Sequence, residues 1–298
     1  NCVTCGTFNK AVVIARAVHT MDDERPLAEA VAWRAGKLLA VGSRREVLAA
    51  AGADAVVERF PESVVVPGLV DAHVELPLPH RVSDEERGHF LKSALERWVQ
   101  LGLTQVHLVG ASLRTLRFLQ SYDMLGVVPV RVYVVARDDE ELLLGHGPFV
   151  GRHTELRAVE VRADSRLAEL AARGFQLAGP LEVVSTVDSG GHRVEFPEGE
   201  VPERLMSVTA PGQRGTAIGA SGERPLEVLA REPDALVRYT RGGAQVARSD
   251  ERRGQLKPGF DADFVVLSAD PLRDEPEVVR AARVQLSVVD GVDVYRAP

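Results

Sequence analysis

The chain has 298 residues, of which 45% are hydrophobic and 27% charged, proportions typical of a globular protein with a substantial core. Its net charge of −7 disfavours nucleic acid as a partner, because nucleic-acid binders usually present a basic face. No apolar run approaches the ~20 residues that span a bilayer, and the N-terminus lacks the features of a signal peptide. We therefore expect a cytoplasmic protein with no membrane partner.

The two cysteines of the chain, Cys2 and Cys5, lie close together near the N-terminus. Their C-x-x-C spacing is typical of half a zinc site or of a redox dithiol. Because there is no second cysteine pair, a zinc site would need histidine or carboxylate ligands from elsewhere. The alternative is two thiols on a loose N-terminal segment, and the sequence leaves both interpretations open.

The first part of the chain predicts strands and hairpins. Residues 11–14 form a short apolar run, and residues 28–33 alternate between apolar and polar, as strands do. Ser43 and Glu46 form a capping box, which marks a helix N-terminus and predicts a short helix over residues 46–51.

From residue 83 onward, helix and strand signals alternate. Ser83 and Glu86 form a second capping box, and apolar residues at helical spacing continue to Gly102, where we expect this helix to end. Further strands are predicted over residues 104–109, 128–135 and 156–161, and further helices over residues 113–125 and 164–173. This alternation is typical of parallel βα units and hence of an α/β sheet or barrel.

The C-terminal segment returns to strand patterns, over residues 262–267 and 284–289. Asp290 and Gly291 form a favoured hairpin turn that leads into a last strand over residues 292–295. Because strand-rich ends flank a βα centre, we expect the two chain ends to pair in one small β-domain.

Three separated stretches resemble the metal-dependent amidohydrolases. Residues 65–73 (VVPGLVDAH) are similar to the approach to the first barrel strand, and residues 253–267 (RGQLKPGFDADFVVL) to the return into the family's β-sandwich. Residues 20–26 together with residues 33–42 are similar to the opening hairpins of that sandwich. The most similar branch contains long, exoenzyme-like members that act on amides and related C–N bonds.

The resemblance implies an α/β fold, with a TIM-like (β/α) barrel beside a composite β-sandwich built from both chain ends. Residues 1–66 and 248–298 are assigned to the sandwich, and residues 67–247 to the barrel. The barrel segment has roughly 180 residues, below the ~200 that eight βα units usually need. We therefore expect either a shortened barrel with minimal helices or an incomplete one that lacks one or more units.

The resemblance also implies a set of metal ligands: an H-x-H pair on the first strand, lysine or glutamate on the fourth, histidines on the fifth and sixth, and aspartate on the eighth. In such sites the metal activates a water molecule and the aspartate takes its proton. Here the first strand carries His73 and then Glu75 in place of the second histidine. On the fourth strand Glu160 stands where many relatives have lysine, and no lysine occurs between Lys92 and Lys257.

On the remaining strands the ligands are predicted to be lost. The fifth strand, over residues 174–178, is followed by no histidine before His192. The stretch His192-Arg-Val-Glu195-Phe196 resembles the family pattern H-R-I-E-H, with phenylalanine in place of the last, metal-binding histidine. The eighth strand resembles a pattern that ends Gly-Ser-Asp, with Ser221 in place of the catalytic aspartate. Serine cannot take the water's proton at neutral pH.

These residues lead to two hypotheses about function. In the favoured one the protein is catalytically impaired or non-catalytic, needs no metal, and keeps the fold for binding or for assembly with itself or a related hydrolase subunit. In the alternative it hydrolyses non-peptide C–N bonds of a small-molecule substrate with one divalent metal, zinc being the first choice. The metal would be held by His73, Glu75 and Glu160. Further residues assigned to the barrel mouth are His192, Glu195 and Ser221.

Overall fold

The computed structural model describes residues 11–76, 78, 82–188, 190–220, 223–232 and 234–298. The cysteine pair and the predicted site residue Ser221 lie outside the described residues. The strands are β1 (Ala11–His19), β2 (Leu27–Arg34), β3 (Lys37–Gly42), β4 (Val56–Pro67), β5 (Leu69–Glu75), β6 (Leu103–Ala111), β7 (Arg131–Ala136), β8 (Phe149–Val150), β9 (Thr154–Glu160), β10 (Gln176–Gly179), β11 (Arg193–Glu195), β12 (Met206–Thr209), β13 (Ala217–Ile218), β14 (Phe264–Leu267), β15 (Val284–Val289) and β16 (Val292–Arg296).

The helices are α1 (Arg44–Ala51), α2 (Asp84–Gln100), α3 (Leu113–Met124), α4 (Glu140–His146), α5 (Leu167–Ala172), α6 (Leu181–Val184), α7 (Pro225–Leu229), α8 (Ala235–Val237), α9 (Gly243–Val246) and α10 (Pro276–Ala281). A π-helical turn, Arg238–Gly242, joins α8 to α9. None of the helices in the described part of the chain is both long and apolar enough to cross a lipid bilayer.

The two chain ends pair in one seven-stranded mixed sheet, in the order β16-β15-β14-β4-β1-β2-β3. Strand β4 connects the two ends, because it runs parallel to β1 and antiparallel to β14. Helix α1 covers one face through Val47 and Ala51. On the other face Trp33 packs edge-on against Phe264, with ring centroids 5.1 Å apart. The expected β-domain built from both chain ends is thereby confirmed.

Eight parallel strands, β5, β6, β7 and β9 to β13, form a nearly closed barrel, which confirms the predicted TIM-like fold. Within the described residues no backbone ladder joins β13 to β5, and the Asp71 carboxylate bridges this seam. Its Oδ1 accepts hydrogen bonds from the backbone N–H groups of His73 and Ala220, both 3.0 Å long. Gly219 permits the close approach, because a Cβ there would lie 2.5 Å from the Cβ of His73.

The barrel is short because its helices shrink along the chain. Helix α2 has 17 residues and α3 has 12, whereas α5 has 6 and α6 has 4. Residues 196–205 and 210–216, which join β11 to β12 and β12 to β13, contain no helix. Minimal helices therefore account for the low residue count, and the alternative of missing barrel strands is not realised.

Candidate functional site

A cavity of about 430 Å³ opens where the barrel strands end at their carboxyl termini, and we call it the mouth cavity. This is the end at which barrel enzymes place their chemistry. Its walls bring together four of the residues that the sequence predicts for the site: His73, Glu75, Glu160 and Glu195. Three separated strands, β5, β9 and β11, therefore converge at this cavity.

His192, in contrast, does not line the mouth cavity. It directly precedes β11, at the end of the strand away from the mouth, and its Nδ1 accepts a hydrogen bond of 3.0 Å from the backbone N–H of Leu177. The sequence assigned His192 to the barrel mouth, and the structure corrects this: the His192 side chain instead fixes β11 beside β10.

His73 lies at the centre of the mouth, near the end of β5. Its Nδ1 is 2.9 Å from Oε2 of Glu195, and its Nε2 is 3.8 Å from Oε1 of Glu75. The ring of Phe196 meets the His73 ring edge-on, with centroids 4.8 Å apart. Both ring nitrogens of His73 therefore face carboxylates, and an apolar ring packs against its edge.

Glu195 is held by a buried arginine two residues earlier in β11. Because side chains alternate along a strand, Arg193 and Glu195 both point into the barrel while Val194 packs in the main core outside it. The Nε of Arg193 donates to Glu195, and its Nη2 donates to the Ala72 carbonyl at 2.7 Å. Burial opposes ionisation of Glu195, but the charge of Arg193 and the His73 hydrogen bond outweigh it and lower the pKa of the carboxyl.

Beneath this pair a polar column continues down the barrel. The Nη1 of Arg193 lies 3.1 Å from Nδ1 of His107, whose Nε2 is 3.2 Å from the Gln105 amide nitrogen. Burial, reinforced by the charge of Arg193, lowers the pKa of His107 well below its ordinary value. His107 is therefore a neutral imidazole whose Nδ1 accepts from the arginine.

The fourth-strand carboxylate is also engaged by a guanidinium. Arg137 follows the end of β7 and donates to both oxygens of Glu160, each at 2.7 Å. The neighbouring fifth strand ends at Gly179 and Pro180, which carry no side-chain donor for a metal. The mouth thus holds an Arg–carboxylate pair on one side and the His73 cluster on the other.

Comparison with known proteins agrees with this architecture. Residues 206–295 match a family model described as "Amidohydrolase family". A 62-residue stretch is 36% identical to the putative amidohydrolase YtcJ of Bacillus subtilis (strain 168), but it spans 21% of this chain and 12% of that protein. Over these two segments the sequence is similar to the amidohydrolases.

Solved structures show the same fold. An uncharacterized metal-dependent hydrolase from Pyrococcus horikoshii OT3 has a TM-score of 0.71 and 13% identity, over 90% of this chain and 99% of that one. An adenosine deaminase from Xanthomonas campestris, solved with bound zinc, has a TM-score of 0.71 and 15% identity, over 96% of this chain and 92% of that one. These neighbours cover 90% and 96% of this chain, whereas the sequence matches cover short segments.

The donor set at the mouth of this barrel does not fit a hydrolytic metal centre. Such a centre needs three or more nitrogen, sulfur or oxygen ligands at about 2 Å from the ion. Among the described residues no group of three or more His, Cys, Asp or Glu side chains is arranged to hold an ion. Glu160 points both oxygens at Arg137, and His73 points Nδ1 at Glu195.

Sequence reasoning missed three residues that shape this site, Asp71, Arg137 and Arg193. It also missed that the Phe196 ring packs against the His73 ring. Asp71 and Arg193 both lie inside the motifs that identify the family, and strand alternation places Arg193 on the same face as Glu195. Arg137 had no such signal, because its pairing with Glu160 depends on the adjacency of β7 and β9.

Proposed function

We propose that this protein, which resembles the amidohydrolases, does not carry out metal-dependent hydrolysis and keeps its barrel as a binding scaffold. The observation that carries the proposal is the arrangement around His73. Its Nδ1 is 2.9 Å from Glu195, and Phe196, which the resemblance aligns with a metal-binding histidine, packs against its ring. His73 is therefore part of a network of intramolecular contacts inside the barrel.

The chemistry of hydrolysis supports the same conclusion. Water must be activated, and a base must take its proton. At the mouth two of the four lining carboxylates are engaged by guanidinium groups: Glu195 by Arg193, and Glu160 by Arg137. A carboxylate held by a guanidinium is stabilised in its ionised form and is a poorer proton acceptor.

The charge of the mouth cavity indicates the kind of molecule that it binds. Its cationic side chains are Arg137 and Arg162, and its carboxylates are Glu75, Glu160, Glu182 and Glu195. Carboxylates outnumber cationic side chains by two, leaving His73 aside, so a cationic small molecule such as an amine is favoured over an anion. The volume of about 430 Å³ is within the range of ordinary small-molecule sites.

The same negative surplus favours a second candidate function, hydrolysis of a non-peptide C–N bond with one divalent metal. His73, Glu75 and Glu160 all line the one cavity, and Glu75 lies 3.8 Å from His73 Nε2. Ligation by Glu160 would require Arg137 to turn away from it. This cost places the second candidate below the first.

Elemental analysis of protein purified without chelator distinguishes the two candidates. We expect substoichiometric zinc, manganese and iron, and no saturable zinc binding that depends on His73. Four proteins should be compared: the natural chain, His73→Ala, the exposed-surface control His146→Ala, and the double variant Cys2→Ser/Cys5→Ser. The cysteine variant removes any zinc held at the N-terminus and so isolates the barrel.

One result would overturn the proposal: about one ion per chain in the cysteine variant and in His146→Ala, lost in His73→Ala. Binding of a cationic ligand at the mouth is tested separately, by titrating a panel of small amines by calorimetry. Amine binding that Glu75→Gln weakens and the exposed control Glu96→Gln leaves unchanged would support the binding role. If no amine in the panel binds, the cationic-ligand part of the proposal fails.

A further inference from the structure

A second cavity lies at the opposite end of the barrel, where strand N-termini meet the sheet formed by the chain ends. We call it the floor cavity, and its volume is about 270 Å³. It is lined by Lys37, Arg131, Val150, Gly151, Arg152, His153, Thr154, Glu155, Arg252, Arg253, Asp261 and Asp290. Nothing in the family resemblance or in the mouth site uses these residues together.

The floor cavity has a surplus of positive charge. Five lining side chains are cationic and three are carboxylates, so the walls carry two more positive charges than negative ones, with His153 uncounted. The whole chain has a net charge of −7, which makes a positive cavity a local feature against the overall balance. Such a field concentrates small anions.

The carboxylates of the floor are already satisfied by some of these cations. Arg131 holds Asp263, beside the cavity, through two hydrogen bonds of 2.6 and 3.0 Å, and Arg253 donates to Asp261 at 2.8 Å. Arg252 is left over, because it forms no ion pair with any carboxylate in the described part of the chain. Burial first, and then the positive charges of Arg131 and Arg252, lower the pKa of Arg253, as expected in an excess of cations.

Two further polar groups in the same wall make no hydrogen bond within the described part of the chain. These are Thr154 Oγ1 and His153 Nε2, both buried. The other ring nitrogen of His153 bonds the Val128 carbonyl at 2.6 Å, and Nε2 is 3.7 Å from Asp290, an ion-pair distance that is too long for a hydrogen bond. Buried polar groups are rarely left unpaired, so two in one charged cavity indicate a missing ligand.

We propose that the floor cavity binds a small oxyanion, recognised by Arg252 together with the Thr154 hydroxyl and His153 Nε2. Guanidinium and hydroxyl groups match the oxygen atoms of phosphate and of carboxylates. The volume is just below the ~300 Å³ at which sites for drug-sized ligands begin, which favours a compact anion over a nucleotide. Inorganic phosphate and a small dicarboxylate are therefore the two sources to be separated by experiment.

Titration calorimetry of the full-length chain in low-salt buffer tests the proposal, with sodium phosphate, sodium malonate and sodium chloride as separate arms. We expect one saturable site for phosphate or malonate and none for chloride. In Arg252→Gln the affinity for that anion should fall about tenfold, because a charge-assisted hydrogen bond is lost. The matched control is Arg45→Gln, an exposed arginine of α1, whose affinity should be unchanged.

Thr154→Val separates ligand binding from a structural role. The replacement has nearly the same shape and removes a hydroxyl that has no partner, so stability without ligand should be retained or raised while anion affinity falls. Three results would overturn the proposal: no binding of phosphate or malonate to the natural chain, equal binding of chloride, or the same loss of affinity in Arg45→Gln as in Arg252→Gln.

Discussion

The two ends of the barrel have opposite electrostatic character, although they are built from the same strands. At the mouth cavity carboxylates outnumber cationic side chains by two, and at the floor cavity cationic side chains outnumber carboxylates by two. The mouth is where this fold places its chemistry, yet its key groups are paired with one another. The floor is ordinarily the end that stabilises the barrel, yet it holds unpaired groups. If both proposals hold, ligand binding by this protein is not confined to the mouth.

A column of polar side chains runs through the barrel interior between the two ends. From Glu195 the polar column passes through Arg193, His107 and Gln105 and reaches Arg253 at the floor, where the Gln105 oxygen is 3.4 Å from the Arg253 Nη1. Because Nδ1 of His107 accepts from Arg193, its Nε2 carries the hydrogen and faces the Gln105 amide N–H, so no hydrogen bond joins these two residues. The hydrogen bonds of the column therefore form two segments, one that fixes Glu195, Arg193 and His107 below the mouth and one that joins Gln105 to Arg253 at the floor.

The largest expected effect is a gain of zinc at the mouth in the double variant Glu75→His/Phe196→His. The Phe196 ring lies 4.8 Å from the His73 ring, a separation at which two imidazoles can share an ion at 2.0–2.1 Å from each nitrogen. In a Cys2→Ser/Cys5→Ser background, zinc should rise from a trace to about one ion per chain by elemental analysis. This result would show that side chains, and not the barrel backbone, separate this mouth from a metal centre.

The matched control for that gain is Glu96→His/Phe90→His on α2. Phe90 is 43% exposed and Phe196 is 40% exposed, so the two variants add histidines of similar accessibility. Unchanged zinc in both variants would mean that the mouth has lost the backbone geometry as well as the ligands. Equal zinc in both would mean that added histidines bind zinc anywhere on this surface.

The next effect is a loss of stability at the floor. Arg131→Met leaves Asp263 without its two-pronged partner in a buried setting, and we expect the free energy of unfolding to fall by about 3–5 kcal/mol. The corresponding change at the mouth is Arg137→Met, which removes the ion pair with Glu160. Because the arginine is 49% exposed, this loss should lower the free energy of unfolding by about 1 kcal/mol or less. Urea unfolding of both variants measures the difference. Equal losses would contradict the distinction between a buried floor and a solvated mouth.

The overall fold followed from sequence because its signals are local. The capping boxes at Ser43 and Ser83 both form, and apolar strand patterns alone predict three of the eight barrel strands, β6, β7 and β9. The family resemblance supplies β5, β10 and β11. Strand β12 had no prediction, because four buried residues between loops carry no readable period. The eighth strand was placed by resemblance alone, since β13 has only two residues.

The site was predictable only where residues lie within a motif. His73, Glu75, Glu160 and Glu195 line one cavity because each lies at or near a strand end, and strand order fixes which ends meet. The floor cavity gave no signal, because its charged residues come from six separate segments of the chain. Pairing such as that of Arg131 with Asp263, over 132 positions, is set by the docking of barrel on sheet.

A smaller, pH-dependent effect is expected at the barrel seam beside the mouth. Burial raises the pKa of Asp71 from 3.8 to about 6. The folded state therefore binds the proton more tightly than the unfolded state, so the stabilisation is complete below about pH 3.8 and is lost as the pH rises through about 6. Asp71→Asn keeps an oxygen for the two backbone N–H groups and cannot ionise. Relative to this variant, the natural chain should lose about 2 kcal/mol between about pH 4.5 and about pH 7.5.

Urea unfolding at both pH values measures that difference. The exposed control is Asp54→Asn, which should show no change with pH relative to the natural chain. A pH-independent difference for Asp71→Asn would mean that the Asp71 carboxyl ionises normally in the folded barrel, and hence that the seam is open to water.

The smallest expected effect returns to the floor. Because Arg252 pairs with no described carboxylate, Arg252→Gln should change the free energy of unfolding by less than about 0.5 kcal/mol without ligand, in contrast to Arg131→Met. Adding the anion should then make the two proteins differ in stability. At an anion concentration about 100 times the dissociation constant of the natural chain, the free energy of unfolding should rise by about 2.7 kcal/mol in the natural chain. It should rise by about 1.4 kcal/mol in a variant that binds the anion tenfold more weakly. Urea unfolding with and without phosphate or malonate measures both numbers. A large loss of unfolding free energy without ligand would instead show that Arg252 stabilises the fold. The charges of the floor would then be paired with one another, as those of the mouth are.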